Sequence, residues 1–348
     1  MTPARPRPGS VRHAVAATAV LLLVTSCGAH WSERLVRRQV ATFETVTPEP
    51  PEALPLPRAE VQRLLESEPF GVLALEEVGA GVTGAARATV AFSAAGRELE
   101  VKWRAVPPAD ADGWNNAPRK ELAAHQIQRW FLEPDDYIVP PTAIRCVPLA
   151  EYRRFDEDAE PSIEGTDCVL GTLAAWLQDV EAPDTLLDRE RFLRDPQYAA
   201  HRADFNLFTY LIEHRDNRAG NFLVPEDDAA PHVFSIDNGI AFGGLVYNYL
   251  VDNWDTVHVP ALRRAAVERI RRLRPADLDA LLVVAEMRAD ADRVLRLVPS
   301  GPVLRPEEGT FVRPGFIQLG LTRAEVDAVA GRRRQLLERV DRGEIPLF

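Results

Sequence analysis

The spacing of apolar residues changes about midway along the chain. Up to about residue 147 they alternate with polar residues in short runs, which is the period of a half-buried strand, and one helix interrupts these runs. From about residue 169 onward they recur every three or four residues, which is the period of an amphipathic helix. Helices are predicted over residues 170–180, 205–212, 262–273, 275–288 and 322–342. Strands followed by helices predict an α+β protein.

A few residues add detail to this pattern. Thr322 and Glu325 have the Thr-x-x-Glu spacing of a capping box and predict the start of the last helix. Asp204 directly precedes the apolar run at 205–212 and is expected to cap that helix. Trp176 and Trp254 are expected in the hydrophobic core.

The amino-terminal segment has the layout of an export signal. Arginines at positions 5, 7 and 12 precede an apolar run over residues 14–24, which is too short to span a bilayer comfortably. The run ends in Val24-Thr25-Ser26-Cys27, which resembles the lipobox of bacterial lipoproteins. Residues 1–26 are therefore predicted to be a signal peptide, and Cys27 is predicted to carry fatty acids such as palmitate that anchor the chain to a membrane. An ordinary secretory leader with an incidental cysteine is the alternative.

The residues after the cysteine indicate a place in the cell envelope. Gly28 stands directly after it, which favours the outer membrane or the cell surface over the inner membrane. Five prolines between residues 43 and 58 predict an extended, semi-rigid spacer. Residues 27–62 are thus predicted to be an anchor and a Pro-rich linker.

Composition and charge exclude several classes of protein. With 46% hydrophobic and 27% charged residues among 348, the chain can bury a substantial core, so it is neither a disordered nor a fibrous protein. A net charge of -11 argues against nucleic acid as a partner. Besides Cys27 the chain has Cys146 and Cys168, which an oxidising compartment would join as a disulfide. Two buried free thiols are the alternative.

A glycine-rich motif lies among the predicted strands. It has the spacing G-x-G-x-x-G and consists of Gly79, Gly81 and Gly84. A dinucleotide site needs a helix directly after the glycines, but residues 88–92 alternate as a strand does. A second strand over residues 99–103 carries Lys102. A hairpin that covers ATP phosphates, with a lysine that pairs with them, has this layout. A glycine-rich hairpin with a surface lysine fits the same residues.

The segment after this lysine predicts a helix over about residues 116–130. Glu121 lies in its first turn, where it could fix Lys102 by an ion pair. Glutamate in a first turn is also favoured by the helix dipole alone, so a purely local role is the alternative.

One motif indicates a catalytic function more specifically than the others. It is His214-Arg215-Asp216-Asn217-Arg218-Ala219-Gly220-Asn221, which fits H-R-D-x-x-x-x-N. Two short strands follow, and the second ends in Asp237-Asn238-Gly239. Phosphoryl transfer needs a carboxylate that orients the acceptor and two oxygen ligands for a divalent metal. Asp216 has the first role, and Asn221 with Asp237 has the second. Two polar turns beside a hairpin are the alternative.

Taken together, these motifs resemble the protein-kinase-like superfamily over about residues 70–345. The sequence Asp237-Asn238-Gly239 is closer to the atypical branches of this superfamily, which include bacterial phosphatidylinositol 3- and 4-kinase-like proteins and secretory-pathway kinases. The resemblance implies a two-lobed fold, with a strand-rich N-lobe over residues 63–168 and a mainly helical C-lobe over residues 169–348.

The resemblance also implies roles for individual residues. ATP would lie under the glycines at 79, 81 and 84, and Lys102 would contact its phosphates. The segment Cys168-Val169-Leu170-Gly171 would be the hinge between the lobes, whose backbone at Val169 and Leu170 meets adenine. Mg²⁺ or Mn²⁺ would be bound by Asn221 and Asp237.

The sequence departs from the eukaryotic kinase pattern in three places. Arg218 replaces the usual lysine two residues after the catalytic aspartate, and it could neutralise phosphate as a bidentate donor. Asn238 replaces phenylalanine. No A-P-E motif follows Gly239.

Two functions are therefore expected. The first is an exported kinase-like phosphotransferase that acts on an exported protein, a lipid or a small molecule and transfers either phosphate or AMP. The second is a catalytically inactive kinase fold that binds a ligand or a partner, because ATP is not expected at useful concentration outside the cytoplasm. The combination of Asp216, Asn221 and Asp237 favours the enzyme.

Overall fold

The computed structural model describes most of the chain after residue 34. The described residues are 35–40, 42–43, 53–78, 85–106, 117–215, 220–227, 230–243 and 254–348. They form antiparallel sheets and helices in a mixed arrangement. The expectation of an α+β protein is confirmed.

A five-stranded antiparallel sheet dominates the first half of the described chain. Its strands are β1 (Gly71–Glu77), β2 (Ala85–Phe92), β3 (Arg97–Ala105), β4 (Thr142–Pro148) and β5 (Cys168–Ala175), in the order β1-β2-β3-β5-β4. Helix α1 (Arg58–Ser67) precedes β1, α2 (Pro118–Gln128) lies between β3 and β4, and α3 (Leu149–Tyr152) follows β4. Leu64 and Leu65 of α1 share one hydrophobic core with Val90 and Val101 of the sheet, because one face of each strand is apolar.

The second core is built from helices. They are α4 (Arg189–Phe192), α5 (Pro196–Ile212), α6 (Arg264–Arg271), α7 (Pro275–Asp279) and α8 (Arg323–Asp341). A small sheet of β6 (Val180–Glu181), β7 (Phe222–Pro225) and β8 (Phe234–Ser235) accompanies them. Asp195 caps α5 by accepting a hydrogen bond from the backbone of Tyr198, and α5 then runs through the middle of this core.

A second four-stranded sheet comes from late in the chain. Its strands are β9 (Ala285–Ala289), β10 (Leu295–Val298), β11 (Thr310–Arg313) and β12 (Phe316–Leu319), in the order β10-β9-β12-β11. Met287 and Ile317 pack on Ile144 and Leu170 of the first sheet. Cys146 and Cys168 lie in the same cluster and are joined as a disulfide, with Cα atoms 5.5 Å apart. The two sheets therefore share a core.

The helix predictions are confirmed for three of the five runs and are wrong for two. The runs at 205–212, 262–273 and 322–342 correspond to α5, α6 and α8, and the capping box of Thr322 with Glu325 is present. The run at 170–180 is not a helix. It continues β5, whose residues are nearly all buried, and a run apolar on every side has no period that separates strand from helix.

Three further expectations are corrected. Residues 275–288 form only the short helix α7, a 3₁₀ turn and then β9, because Ala285 and Met287 alternate into the shared core. Asp204 is not a cap: it lies inside α5 and forms an ion pair with Arg263. The boundary between residues 168 and 169 falls within β5, so the first sheet continues to Ala175.

Parts of the sequence assigned to the linker pack against the fold. Residues 35–40 are helical, Val40 is buried in the second core, and Phe43 packs against it. Ala53 is also buried, and residues 58–62 form the beginning of α1. The described residues contain no helix long and apolar enough to cross a membrane. The signal peptide and Cys27 lie outside the described residues.

Candidate functional site

A cavity of about 200 Å³ opens between the five-stranded sheet and the β7–β8 hairpin. Its walls are mainly apolar and include Ala174, Trp176, Leu223 and Ile236. Lys102 and Glu121 are the charged residues of the lining. A concave, largely apolar site with few charged groups is the usual form of a small-molecule site.

Lys102 enters the cavity from β3. It lies opposite Ala174 of β5 in the strand register, so both side chains face the cavity. Its Nζ donates a hydrogen bond of 3.1 Å to the backbone oxygen of Ile236 and lies 4.0 Å from Oδ2 of Asp237. The structure thus brings together two of the residues that the sequence singled out, although 135 positions separate them in the chain.

Arg104 belongs to this site, although it is not among the residues predicted from the sequence. It lies two residues after Lys102, on the same face of β3, and its side chain is only 5% exposed. Its guanidinium lies 3.4 Å from Oε1 of Glu121 and 3.3 Å from Oδ2 of Asp237. Arg104 therefore links the helix that carries Glu121 to the turn that carries Asp237.

Glu121 is held by Arg104 and by the Asp-Asn-Gly turn rather than by Lys102. Both of its carboxylate oxygens accept a hydrogen bond of 3.1 Å from the backbone nitrogen of Asn238. The predicted direct ion pair with Lys102 is not found among the described residues, because Arg104 takes that place. Burial raises the pKa of Glu121 to about 7, and the charge of Asp237 adds to this effect.

Asp237 has the opposite electrostatic balance. Burial alone would raise its pKa, but the positive charges of Lys102 and Arg104 lower it below its ordinary value. Asp237 is therefore ionised at neutral pH. Its backbone oxygen contacts Nε2 of His214 at 3.2 Å, which fixes the turn from the side of α5.

Helix α2 is clamped in place by contacts outside the cavity. Arg119 and Lys120 directly precede Glu121, and both form ion pairs with Glu325 in the first turn of α8. Lys120 also donates a hydrogen bond of 2.8 Å to the backbone oxygen of Ala241, in the segment after Asp237. Glu121 is therefore positioned by its helix as well as by its own hydrogen bonds.

The β7–β8 hairpin places Asn221 near Asp237. The backbone oxygen of Asn221 accepts a hydrogen bond of 3.0 Å from Ile236, and Phe222 pairs with Ser235. Carboxylate and amide oxygens are the ligands that Mg²⁺ and Mn²⁺ accept, so this pair suits such an ion by donor type. No group of three His, Cys, Asp or Glu side chains that could hold a metal is found in the described ranges.

The segment predicted as a hinge lies at the start of β5. Val169 and Leu170 begin β5 and pair with Val147 and Cys146, and the described lining of the cavity does not include them. Ala175, Trp176 and Leu177, at the other end, line the cavity instead.

Neither a protein-family model nor a curated protein matches this chain. Function is therefore inferred from the geometry of the site.

Several candidate residues lie outside the described residues. They are Gly79, Gly81 and Gly84 of the glycine motif, and Asp216 and Arg218 of the H-R-D motif. The first two residues of the H-R-D motif lie within the described part of the chain. His214 is buried, and Arg215 forms ion pairs with Glu213 and Asp255.

Trp176 was expected in the hydrophobic core but does not lie there. It is half-buried, its side chain belongs to the cavity lining, and the guanidinium of Arg87 lies 4.8 Å from the centre of its ring. Trp254 is buried in the second core, as expected. The local signal that could have found Arg104 is strand alternation, since Glu100, Lys102 and Arg104 share one face of β3.

Proposed function

We propose that this chain is an exported, lipid-anchored phosphotransferase with a two-lobed kinase-like fold, which uses ATP and Mg²⁺ or Mn²⁺. The observation that carries the proposal is that Lys102 and Glu121 line one cavity and that Arg104 and Asp237 contact them at its edge. Two cations beside two carboxylates can bind the phosphates of a nucleotide and the metal that accompanies them.

The connectivity supports the same fold. The glycine motif lies between β1 and β2, Lys102 is on β3, and the helix with Glu121 comes before β4. The strand β5 leads towards the helical core, and a hairpin between Asn221 and Asp237 follows α5. This order of parts is the one described for protein kinases.

Each group would have a definite task. The apolar walls would take the base, and Lys102 with Arg104 would attract the phosphates. Asn221 and Asp237 would hold the divalent ion, which supplies neutralising charge at the phosphates when it is bound. An acceptor oxygen would form a bond to the γ-phosphorus as the bond to the bridging oxygen of ADP breaks, and Asp216 would accept the proton of the acceptor hydroxyl.

The test is the thermal unfolding of the chain from residue 28 onward with ATP and either metal. Binding raises the unfolding free energy by RT ln(1 + [L]/Kd), about 2.7 kcal/mol at a hundredfold excess over Kd. We expect a metal-dependent rise that Asp237→Asn removes and that the exposed control Asp292→Asn retains. Absence of any rise with folded protein and either metal would contradict the proposal.

A second experiment identifies the transferred group. Incubation with ATP labelled at the γ-phosphate and, separately, at the α-phosphate would show which label reaches an exported protein, a lipid fraction or a small molecule. A γ-label in the product supports phosphoryl transfer. An α-label would replace this proposal with transfer of AMP.

One observation favours the alternative function, an inactive kinase fold that binds a ligand or partner. Asp237 already lies within 3.3 Å of Arg104 and 4.0 Å of Lys102, so a metal ion has to compete with two cations for this carboxylate. A binding module of this kind would show a nucleotide-induced rise in unfolding temperature that needs no metal and that survives Asp237→Asn. No label would then reach any acceptor.

A further inference from the structure

The first described segment of the chain folds back onto the helical core. Val40 is 1% exposed within that core, and the ring of Phe43 lies 5.4 Å from the ring of Phe348 in an edge-to-face contact. Arg37 donates a hydrogen bond to the backbone oxygen of Gly343, just after α8. The chain that leads back to Cys27 therefore leaves the fold from its helical part.

The length of chain between this segment and the predicted anchor is short. Residues 28–34 separate Cys27 from Leu35. At about 3.5 Å for each residue step, eight steps reach roughly 28 Å at full extension. If Cys27 is acylated, the surface around Leu35 stays within that distance of the lipid.

This surface is basic although the chain as a whole is acidic. We define the tether-side face by the exposed residues Leu35, Arg37 and Arg38 of the helical segment 35–40 and by Arg264, which lines one cleft with Arg37. All four residues are exposed, and Leu35 is 62% exposed. Within the described part of the chain, no acidic side chain forms an ion pair with these three arginines.

The acidic residues nearby are already neutralised. Asp341 forms an ion pair of 2.7 Å with Arg271, and Glu344 forms one of 2.5 Å with Arg342. The tether-side face therefore presents positive charge that no acidic side chain of the described residues neutralises, in a chain whose net charge is -11. Its charge complements the phosphate groups of anionic lipids.

We propose that the tether-side face docks on the anionic headgroups of the membrane that holds the anchor. Arg37, Arg38 and Arg264 contact lipid phosphates, and Leu35 reaches the interface between headgroups and acyl chains. This orientation rests on the predicted acylation of Cys27 and is independent of phosphotransfer. Its failure and a failure of the proposed function are therefore distinguishable.

The experiment measures the partition of the unacylated chain, from residue 28 onward, onto phosphatidylcholine vesicles with and without phosphatidylglycerol. Each arginine is expected to contribute roughly a fivefold preference for the anionic vesicles. The variant Arg38→Glu/Arg264→Glu should weaken partition by at least roughly 25-fold. The control Arg305→Glu/Arg313→Glu makes the same change of charge on the outer face of β11 and the loop before it.

The outcomes separate the possibilities. Loss of partition in the first variant alone supports the proposal. An equal loss in both variants would mean that only net charge matters, and it would overturn the proposal, as would unchanged partition in the first variant. Arg38→Gln/Arg264→Gln is the second variant in case the charge reversal prevents folding, and it should give a smaller loss at the same face. Melting curves of each variant establish that it is folded.

Discussion

The guanidinium of Arg119 contacts both carboxylate oxygens of Glu325, at 2.5 and 3.2 Å. This contact joins the helix that carries Glu121 to the first turn of α8. Glu325 also accepts a hydrogen bond from the backbone of Thr322, so one carboxylate caps α8 and fixes α2.

Replacement of Glu325 by Gln tests this connection. Glutamine retains the capping hydrogen bond but loses the charge that Arg119 and Lys120 pair with. We expect the free energy of unfolding to fall by about 3 kcal/mol, because two largely buried cations lose a negatively charged partner. Nucleotide affinity should fall as well, because α2 positions Glu121. Denaturant unfolding and a nucleotide titration are the measurements, and Glu338→Gln on the exposed side of α8 is the control. Equal behaviour of the two variants would contradict the connection.

Arg104 is expected to be essential for the stability of the site. Arg104→Met leaves Glu121 and Asp237 close together without the guanidinium between them. We expect a loss of about 3 kcal/mol in the free energy of unfolding at neutral pH. Arg104→Lys keeps one positive charge and should lose less. Urea unfolding of both variants is the measurement, and a Met variant as stable as the wild type would show that the contact is unimportant.

The buried His125 predicts a loss of stability in mild acid. Burial lowers its pKa to about 3, and the positive charges of Arg129 and Arg58 add to this effect. The unfolded chain binds a proton at this residue below about pH 6.5, whereas the native state does not. The stabilisation is therefore complete above pH 6.5 and is lost as the pH falls towards 3. At pH 5 the loss amounts to about 2 kcal/mol.

His125→Phe is the variant that isolates this residue. It keeps a ring against Tyr137, whose ring centre lies 6.1 Å away, but it cannot be protonated. The unfolding free energy of this variant should decline less between pH 7 and pH 5 than that of the wild type, by about 2 kcal/mol. His258→Gln, at a half-exposed position, should follow the wild type. Parallel pH profiles for His125→Phe and the wild type would exclude the explanation.

The disulfide between Cys146 and Cys168 should contribute substantially to stability. It closes a loop with a sequence separation of 22, for which the loss of unfolded-state entropy corresponds to about 3 kcal/mol. We expect Cys146→Ala/Cys168→Ala to unfold at lower denaturant concentration by an amount of this order. Reduction of the wild type with dithiothreitol should have a similar effect. Cys27→Ser is the control and should leave unfolding unchanged, and a reductant that has no effect would argue against the bridge.

The anchor is tested through Cys27 itself. Cells that express the full chain and are fed labelled palmitate should incorporate the label into the wild type. Cys27→Ser should abolish incorporation, because the thiol is the predicted acylation site. Cys146→Ala is the control, since that residue lies in the folded domain. Label in the Cys27→Ser variant, or none in the wild type, would contradict the assignment.

The sequence predicted those parts of the fold in which a local pattern decides the structure. Helices α5, α6 and α8 have capping or apolar signals within their own residues, such as Thr322 with Glu325. β5 has no such signal, because its burial depends on β3, β4 and the late sheet. The prediction of a helix over residues 170–180 was therefore wrong.

The same distinction applies to the site. Lys102, Glu121 and Asp237 were found from motifs, and the structure brings them to one cavity or its edge. Arg104 was missed because its role arises only when α2 and the Asp237 turn pack against β3 from distant positions in the chain. Strand alternation places Arg104 on the same face as Lys102, but its burial follows only from these distant contacts.

The sheet of β9–β12 has a consequence for biogenesis. Met287 and Ile317 complete the core around Ile144 and Leu170, so the first sheet is left with an open apolar face until residues near 319 have emerged. A chain that is still being synthesised or threaded through a membrane pore cannot close that core. The domain therefore reaches its native state only when nearly the whole chain is available, and carboxy-terminal truncation before β12 should yield an aggregation-prone, protease-sensitive product.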